Sequence, residues 1–232
     1  MLSGLRAALR PDHAGRLIQE LAATGEIRSA LDIGCGASSP LTCLRPTVRT
    51  LGIDASASAV ETARQRQVHD DYLVGDILEL EPSEILARAR VDRFDLVTLF
   101  DVVEHLPRRL GFQLLEQCEA LTSKWIVVQT PNGFLPQGPE FGNEYQRHHS
   151  GWFPHDFESL AYSVRGCDGL KRFHGYAGQF TPNLPGIRFL DAFGWQVLGG
   201  WHHPHRAFNL LAFKDVRGVP ARLGTSTPLP QR

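Results

Sequence analysis

Ala30-Leu-Asp-Ile-Gly-Cys-Gly-Ala-Ser-Ser39 reads as a buried apolar strand that ends in an acid and breaks at two closely spaced glycines. Leu31 and Ile33 flank Asp32 in a short run suited to a central parallel strand, and Gly34 and Gly36 permit a tight turn with no Cβ against a ligand. Ser38 or Ser39 can cap the helix expected next. A Gly-x-Gly pair also punctuates ordinary strand ends, so the wider context decides. Arg49-Thr-Leu-Gly-Ile-Asp54 is a second apolar strand ending in an acid, 20 positions after Gly34. That is the placement of a carboxylate that accepts both ribose hydroxyls of a nucleotide-type cofactor, which makes Asp54 the ribose candidate.

A dinucleotide needs a third glycine for close helix packing beside its pyrophosphate, and here that position is Ser39. With hydrophobic-Asp-hydrophobic-Gly-x-Gly at 31–36, the chain resembles class I S-adenosylmethionine (AdoMet) methyltransferases, whose cofactor has no phosphate to cradle. The resemblance extends from about Ala30 to Phe213, with Ser38 standing where many members carry glycine. It implies that Asp32 lies near the methionine end of AdoMet, that Asp54 binds the ribose, and that Asp76 with Ile77 meets the adenine. Gly34, Gly36, Phe100 and Asp101 complete the expected cofactor set.

The periodicity around this motif alternates strand and helix. Asp12 is placed to cap a helix carrying Ala14, Leu17, Ile18, Leu21 and Ala22 and ending near Gly25. Ser58 and Glu61 suggest a capping box for a helix through about Gln67, and Pro82-Ser83-Glu84 opens another. Strands are expected at 71–74, 94–100 and 125–129, with a helix after Pro107 that uses Leu110, Leu114, Leu115 and Leu121. Further on, the pattern predicts a helix over 154–161, a strand over 162–165, a helix over 186–193 and a last strand over 208–213. The fold class is therefore α/β, a doubly wound, Rossmann-like, mostly parallel seven-stranded sheet with an antiparallel last strand. A single domain is expected over 1–216, with an active-site loop insertion at about 130–154 and a Pro-rich disordered tail over 217–232.

At 232 residues the chain can bury a core without disulfides or metal staples. A formal charge of −1 with mixed signs gives no footprint for duplex nucleic acid. Cys35, Cys43, Cys118 and Cys167 form no Cys-x-x-Cys pattern and suit a reducing compartment. No uncharged apolar run approaches the roughly 20 residues that span a bilayer, and the N-terminus lacks a signal-peptide pattern. A cytoplasmic protein without membrane insertion is expected.

Leu99-Phe-Asp-Val-Val-Glu-His-Leu106 is the most specific chemical block. Coiled into a turn, Asp101, Glu104 and His105 fall at i, i+3 and i+4 and face one point, able to move protons or hold a cation. The block resembles Asp-x-x-Glu-His-Leu segments of many AdoMet methyltransferases. Similar acid-x-x-Glu-His blocks bind a divalent ion in ubiquinone-biosynthesis O-methyltransferases and in small-RNA 3′-terminal 2′-O-methyltransferases, the latter adding a histidine before a tryptophan. His148 in Arg147-His-His-Ser-Gly-Trp152 is the counterpart, so Asp101, Glu104, His105 and His148 are the implied metal set and His105 and Glu104 the catalytic candidates. The other reading has Glu104 and His105 pair with each other or only position ligands.

Thr130-Pro-Asn-Gly-Phe134 followed by Tyr145-Gln-Arg-His-His-Ser-Gly-Trp-Phe153 resembles bacterial and archaeal methyltransferases, some associated with surface-glycan synthesis. That implies a small-molecule or glycan acceptor, with Trp152, Phe153 and Tyr145 stacking on a ring and Arg147 and Asn132 supplying polar contacts. Such aromatics can equally form the loop's own core. Trp201-His-His-Pro-His205 has metal-like composition but reads as a solvated turn. The expected activity is AdoMet-dependent methyl transfer to a hydroxyl, with a divalent ion as possible second cofactor. An NAD-dependent sugar oxidoreductase and an inactive cofactor-binding interaction module are the alternatives.

Overall fold

A computed structural model describes residues 12–139, 143–179, 191, 195 and 199–217. Seven strands form one sheet: β1 (Ser29–Ile33), β2 (Arg49–Asp54), β3 (Asp71–Val74), β4 (Phe94–Phe100), β5 (Thr122–Pro131), β6 (Ser163–Leu170) and β7 (Ala207–Asp215). Their order is β3-β2-β1-β4-β5-β7-β6, and β7 runs antiparallel to both neighbours. The expected sheet is thus the one observed. Because β1 and β4 lie side by side, the chain reverses its direction of travel between them and opens a crevice at their carboxyl ends.

Alternation along the central strands sorts the core into two layers. Ala30, Leu96, Val127 and Leu211 pack against Leu17, Ile18 and Leu21 of helix α1 (His13–Ala22), whose N-terminus is capped by the Asp12 carboxylate on the Gly15 amide at 2.7 Å. The opposite face, with Leu31, Val97, Leu99, Ile126 and Val128, packs against Ile85 of α3 (Pro82–Ala89) and Leu114, Leu115 and Leu121 of α4 (Arg108–Leu121). Helix α2 (Ala57–Gln65) sets Val60 and Ala63 against Tyr72. Each fully buried Leu, Ile or Val contributes on the order of 1.5–3 kcal/mol, so burial on both faces fixes the register of these strands.

Several local expectations are corrected. Ser39 caps only a 3₁₀ turn, Pro40–Leu44, because Pro46 follows too soon for an α-helix to form. The cap of α2 is Ser56, not Ser58, since Asp54 binds the Ser56 amide at 2.8 Å and closes the turn two residues earlier. Helix α5 is short, Pro154–Glu158, and β6 is longer than expected, with a bulge that puts Asp168 at φ 63°. The helix expected over 186–193 lies outside the described residues except at Asp191, as does the expected tail from 218 onward. Arg217 itself is tied to Asp215 and Glu26. No described helix is long and apolar enough to cross a membrane.

Candidate functional site

The strand ends of β1, β2 and β4 and the turn after β3 enclose a cleft of about 460 Å³. Asp32, Gly34, Gly36, Asp54, Asp76, Ile77, Phe100 and Asp101 all line it, as does His105. The volume falls within the range of small-molecule sites, roughly 300–1,000 Å³. Asp12 and Ala14 from the start of α1 and Tyr145 and Gln146 from the long loop complete its wall. Of these four only Tyr145 is expected near a ligand from the sequence; Asp12, Ala14 and Gln146 carry no such signal, because only the packing of α1 and of the loop brings them there.

The turn after β1 is shaped by two left-handed glycines, Gly34 at φ 68° and Gly36 at φ 52°. A Cβ on Gly34 would also collide with Val102, so that position is closed to any side chain on two counts. Asp54 braces the turn: its Oδ2 accepts the Gly36 amide at 2.8 Å while Oδ1 accepts the Ser56 amide at 2.8 Å. Each carboxylate oxygen keeps a further acceptor direction, which ribose hydroxyls can use. Asp76 closes its own turn by accepting the Leu78 amide at 2.9 Å, and Ile77 beside it is buried. Asp32 is buried on the floor of the cleft, where its Oδ1 accepts the Thr98 hydroxyl at 2.7 Å.

Beyond β4 the chain does not coil as its spacing suggests. Asp101 takes a left-handed conformation, φ 53°, with its amide donating to the Gln129 carbonyl at 2.9 Å, and the 3₁₀ turn Val103–His105 begins only after it. Asp101 is exposed and lines the cleft. Desolvation, helped by the nearby Asp168 charge, pushes its carboxyl up to about 6. The single face shared by Asp101, Glu104 and His105 is not formed.

The other three members of the implied metal set do meet. One donor atom each from Glu104, His105 and His148 lies within 4.8 Å of the others, and the two imidazoles approach edge-on at 4.8 Å. His105 Nδ1 lies 3.2 Å from the Arg147 carbonyl and His148 Nδ1 lies 2.7 Å from the Leu135 carbonyl. With hydrogen on Nδ1, each ring presents the Nε2 lone pair, the arrangement by which backbone carbonyls orient metal-binding histidines. Glu104 Oε2 accepts the Thr130 hydroxyl at 2.8 Å, and Oε1 is buried without a hydrogen-bond partner among the described residues. Burial, then the Asp101 charge, raises the Glu104 carboxyl well above its ordinary range, while burial lowers His105 to about 4.

Of the two parts open to the aromatic block, Trp152 takes the second, the loop's own core. Trp152 is fully buried against Phe112 and Phe157 and donates from Nε1 to Ser150 Oγ at 3.0 Å. Its ring fits because residue 111 is glycine, where a Cβ would collide with it. Trp152 is core and cannot stack on an acceptor. Asn132 is likewise structural, donating from Nδ2 to the Pro204 and Ala207 carbonyls at 2.9 Å each. The His149 and Ser150 amides both donate to the Glu104 carbonyl, at 2.8 and 3.1 Å, so this block clamps the Glu104 turn from above. Arg147 pairs with Glu144, whereas Tyr145 and Phe153 remain exposed. His202, His203 and His205 are exposed on two 3₁₀ turns, in line with the solvated turn read from the sequence.

A profile described as a methyltransferase domain matches residues 31–124. A mitochondrial ubiquinone biosynthesis O-methyltransferase from Candida albicans is 32% identical over 109 residues, 45% of this chain. The chain spans about a third of that relative's length, 32%. Among solved structures, the plantazolicin methyltransferase BpumL, in complex with a triazolic desmethylPZN analogue and S-adenosylhomocysteine (SAH), superposes with a TM-score of 0.54 at 18% identity, covering 88% of this chain and 83% of its own. An AdoMet-dependent methyltransferase from Archaeoglobus fulgidus gives a TM-score of 0.50 at 14% identity over 87% and 94% of the two chains. The methyltransferase domain of bacterial CtHen1-CN gives 0.50 at 17% over 86% and 96%. At these identities the structural likeness establishes the fold, and the matched profile spans β1 through the start of β5, the part of the chain that builds the cofactor cleft. Residues 31–124 thus resemble a methyltransferase domain, and the sheet as a whole has the fold of AdoMet-dependent methyltransferases, which favours AdoMet over the NAD-dependent alternative.

Proposed function

We propose that this enzyme transfers the AdoMet methyl group to a hydroxyl oxygen of a small-molecule or glycan acceptor, with Glu104, His105 and His148 holding a divalent ion beside that hydroxyl. The observation that carries the reading is the convergence of two carbonyl-anchored imidazoles on the buried Glu104 carboxylate. His105 belongs both to this cluster and to the cleft wall, so the cluster adjoins the cofactor site. The mixed carboxylate and imidazole set suits Mn²⁺, Zn²⁺ or Fe²⁺ better than Mg²⁺. When bound, such an ion acidifies a substrate hydroxyl and steadies the developing alkoxide.

The chain's own residues hold and orient the reactants. Asp54 and Asp76 fix the nucleoside, Asp32 the methionine end, and Asp101 faces the region of the sulfonium. As the acceptor oxygen attacks, the methyl–sulfur bond breaks, its electron pair returns to sulfur to leave SAH, and the hydroxyl proton departs to a base or to water. Support for oxygen as the nucleophile comes from the name of the Candida albicans relative and from the donor set. Labelled AdoMet offered with phenolic and sugar acceptors tests this. Label should enter acceptors with open hydroxyls and not the same compounds with those hydroxyls methyl-capped. Transfer that persists on capped compounds bearing an amine or thiol would replace the hydroxyl reading.

A further inference from the structure

Strand pairing sets Tyr72, Gly52, Asp32 and Thr98 side by side across β3, β2, β1 and β4. Residues in register on neighbouring strands point to the same face, so these four form one row beneath the cleft. Within it, Gly52 leaves space that the His69 ring occupies. A Cβ at position 52 would stand 2.5 Å from His69 Cδ2 and 2.9 Å from Cys35 Sγ. His69 is held there from the next position in the row, because its amide donates to the Tyr72 hydroxyl at 2.7 Å and its ring meets the Tyr72 ring edge-on at 5.7 Å. The Tyr72 hydroxyl in turn donates to the Ala63 carbonyl at 2.9 Å, so the tyrosine is itself anchored.

So placed, His69 Nε2 lies 3.3 Å from Asp32 Oδ2, with both side chains buried. Thr98 restrains the other carboxylate oxygen at 2.7 Å. Asp32 Oδ2 has no well-formed hydrogen bond among the described residues, and Asp32 borders the cleft. Both ring nitrogens of His69 likewise lack a well-formed hydrogen bond among the described residues, and the contact with Oδ2 offsets part of the cost of burying these groups.

We propose that His69 is a positioning residue: its ring, seated over Gly52, holds the Asp32 carboxylate at the edge of the cleft where the methionine half of the cofactor binds. The proposal rests on the AdoMet assignment and extends it to a residue outside the cleft. The imidazole on one carboxylate oxygen and the Thr98 hydroxyl on the other set the direction of Asp32 from behind the cleft wall. The role is specific to cofactors with an amino-acid end. An adenosine fragment without that end makes no use of it.

Calorimetry with SAH and with 5′-methylthioadenosine, which keeps the adenosine and lacks the amino acid, separates this role from simple core packing. Wild type, His69→Leu, His69→Gln, Gly52→Ala, Asp32→Asn and the Asp32→Asn/His69→Leu double variant form the set. His69→Leu should weaken SAH by about tenfold or more and leave methylthioadenosine within about twofold. His69→Gln, which can still present a donor, should recover most of the loss. The double variant should bind SAH no worse than Asp32→Asn alone, since both changes remove one interaction. Gly52→Ala, which displaces the ring through the backbone, should reproduce the selective loss if His69→Leu does not fold. Equal weakening of both ligands, an unchanged SAH affinity, or additive losses in the double variant would overturn the proposal. No SAH binding by wild type would overturn the cofactor assignment beneath it, an outcome visible before any variant is measured.

Discussion

The Oδ2 atom of Asp54 accepts the Gly36 amide at 2.8 Å, so the acid that ends β2 sets the turn that ends β1. With Asp54 on the ribose as proposed, removing this carboxylate acts twice on AdoMet, by withdrawing the ribose acceptor and by releasing the Gly36 turn beside the cleft. Loss of a charge-assisted hydrogen-bond set costs roughly 1.5–3 kcal/mol. Asp54→Ala should therefore weaken SAH binding about ten- to a hundredfold by calorimetry. Affinity equal to wild type would remove Asp54 from the site.

The raised Asp101 carboxyl makes cofactor charge matter. AdoMet carries a sulfonium and SAH a neutral thioether, so an ionised Asp101 favours the former. Its carboxyl is held at about 6 against an ordinary 3.8, so it is protonated below that point and anionic above it. The ratio of AdoMet to SAH affinity should rise as pH climbs through about 6. The same shift means that the folded state binds this proton more tightly than the unfolded chain, so its contribution to stability is present below 3.8 and lost as pH rises through about 6. Asp101→Asn should flatten both trends. A pH-independent affinity ratio in the wild type would show that Asp101 does not face the sulfonium.

Trp152 sits fully buried between Phe112 and Phe157, over Gly111. Truncation of a buried tryptophan costs about 3–5 kcal/mol. Trp152→Ala should thus lower the denaturation midpoint steeply, whereas Phe153→Ala, on an exposed ring, should change it little. Near-wild-type stability for Trp152→Ala, with a selective loss of acceptor binding, would restore the stacking role instead.

That contrast marks where the sequence can be read and where it stops. Strand ends were legible because apolar runs closed by Asp32, Asp54 and Asp101 have one physical solution, and β3 and β4 begin and end where the runs do. Much of the lining of the cleft was legible for the same reason, since Asp32, Gly34, Asp54 and Phe100 sit at strand ends. Trp152 was left open and Asn132 misread because an aromatic or an amide in a long loop looks alike whether it faces a ligand or the core. The contacts made after folding decide between them, Trp152 with Phe112 and Phe157 and Asn132 with the Pro204 and Ala207 carbonyls. The spacing of Asp101, Glu104 and His105 implied a helical face, yet a left-handed Asp101 cannot be read from an aspartate. His69 and Gly52 carried no signal on their own, because their meeting with Asp32 depends on strand register.

Glu104, His105 and His148 give the prediction on which the chemistry turns. Three ligand atoms converge, each imidazole is oriented through Nδ1 by a backbone carbonyl, and Glu104 is tethered by Thr130 while one of its oxygens stays unpartnered among the described residues. Such outer contacts pre-set the rings, and loss of one costs about 10–100-fold in metal affinity in known sites. The protein should bind Mn²⁺ or Zn²⁺ at one site by calorimetry, and Glu104→Gln or His148→Ala should abolish that binding. Thr130→Val, which removes only the tether, should weaken it by about tenfold while leaving SAH affinity intact. Binding needs deprotonated donors, so metal affinity should rise with pH as the raised Glu104 carboxyl ionises. His105, held at about 4, is already neutral over that range. Full methyl transfer after exhaustive chelation, with Glu104→Gln nearly silent, would sink the metal assignment. His105 would then remain as a base or as a contact to the acceptor.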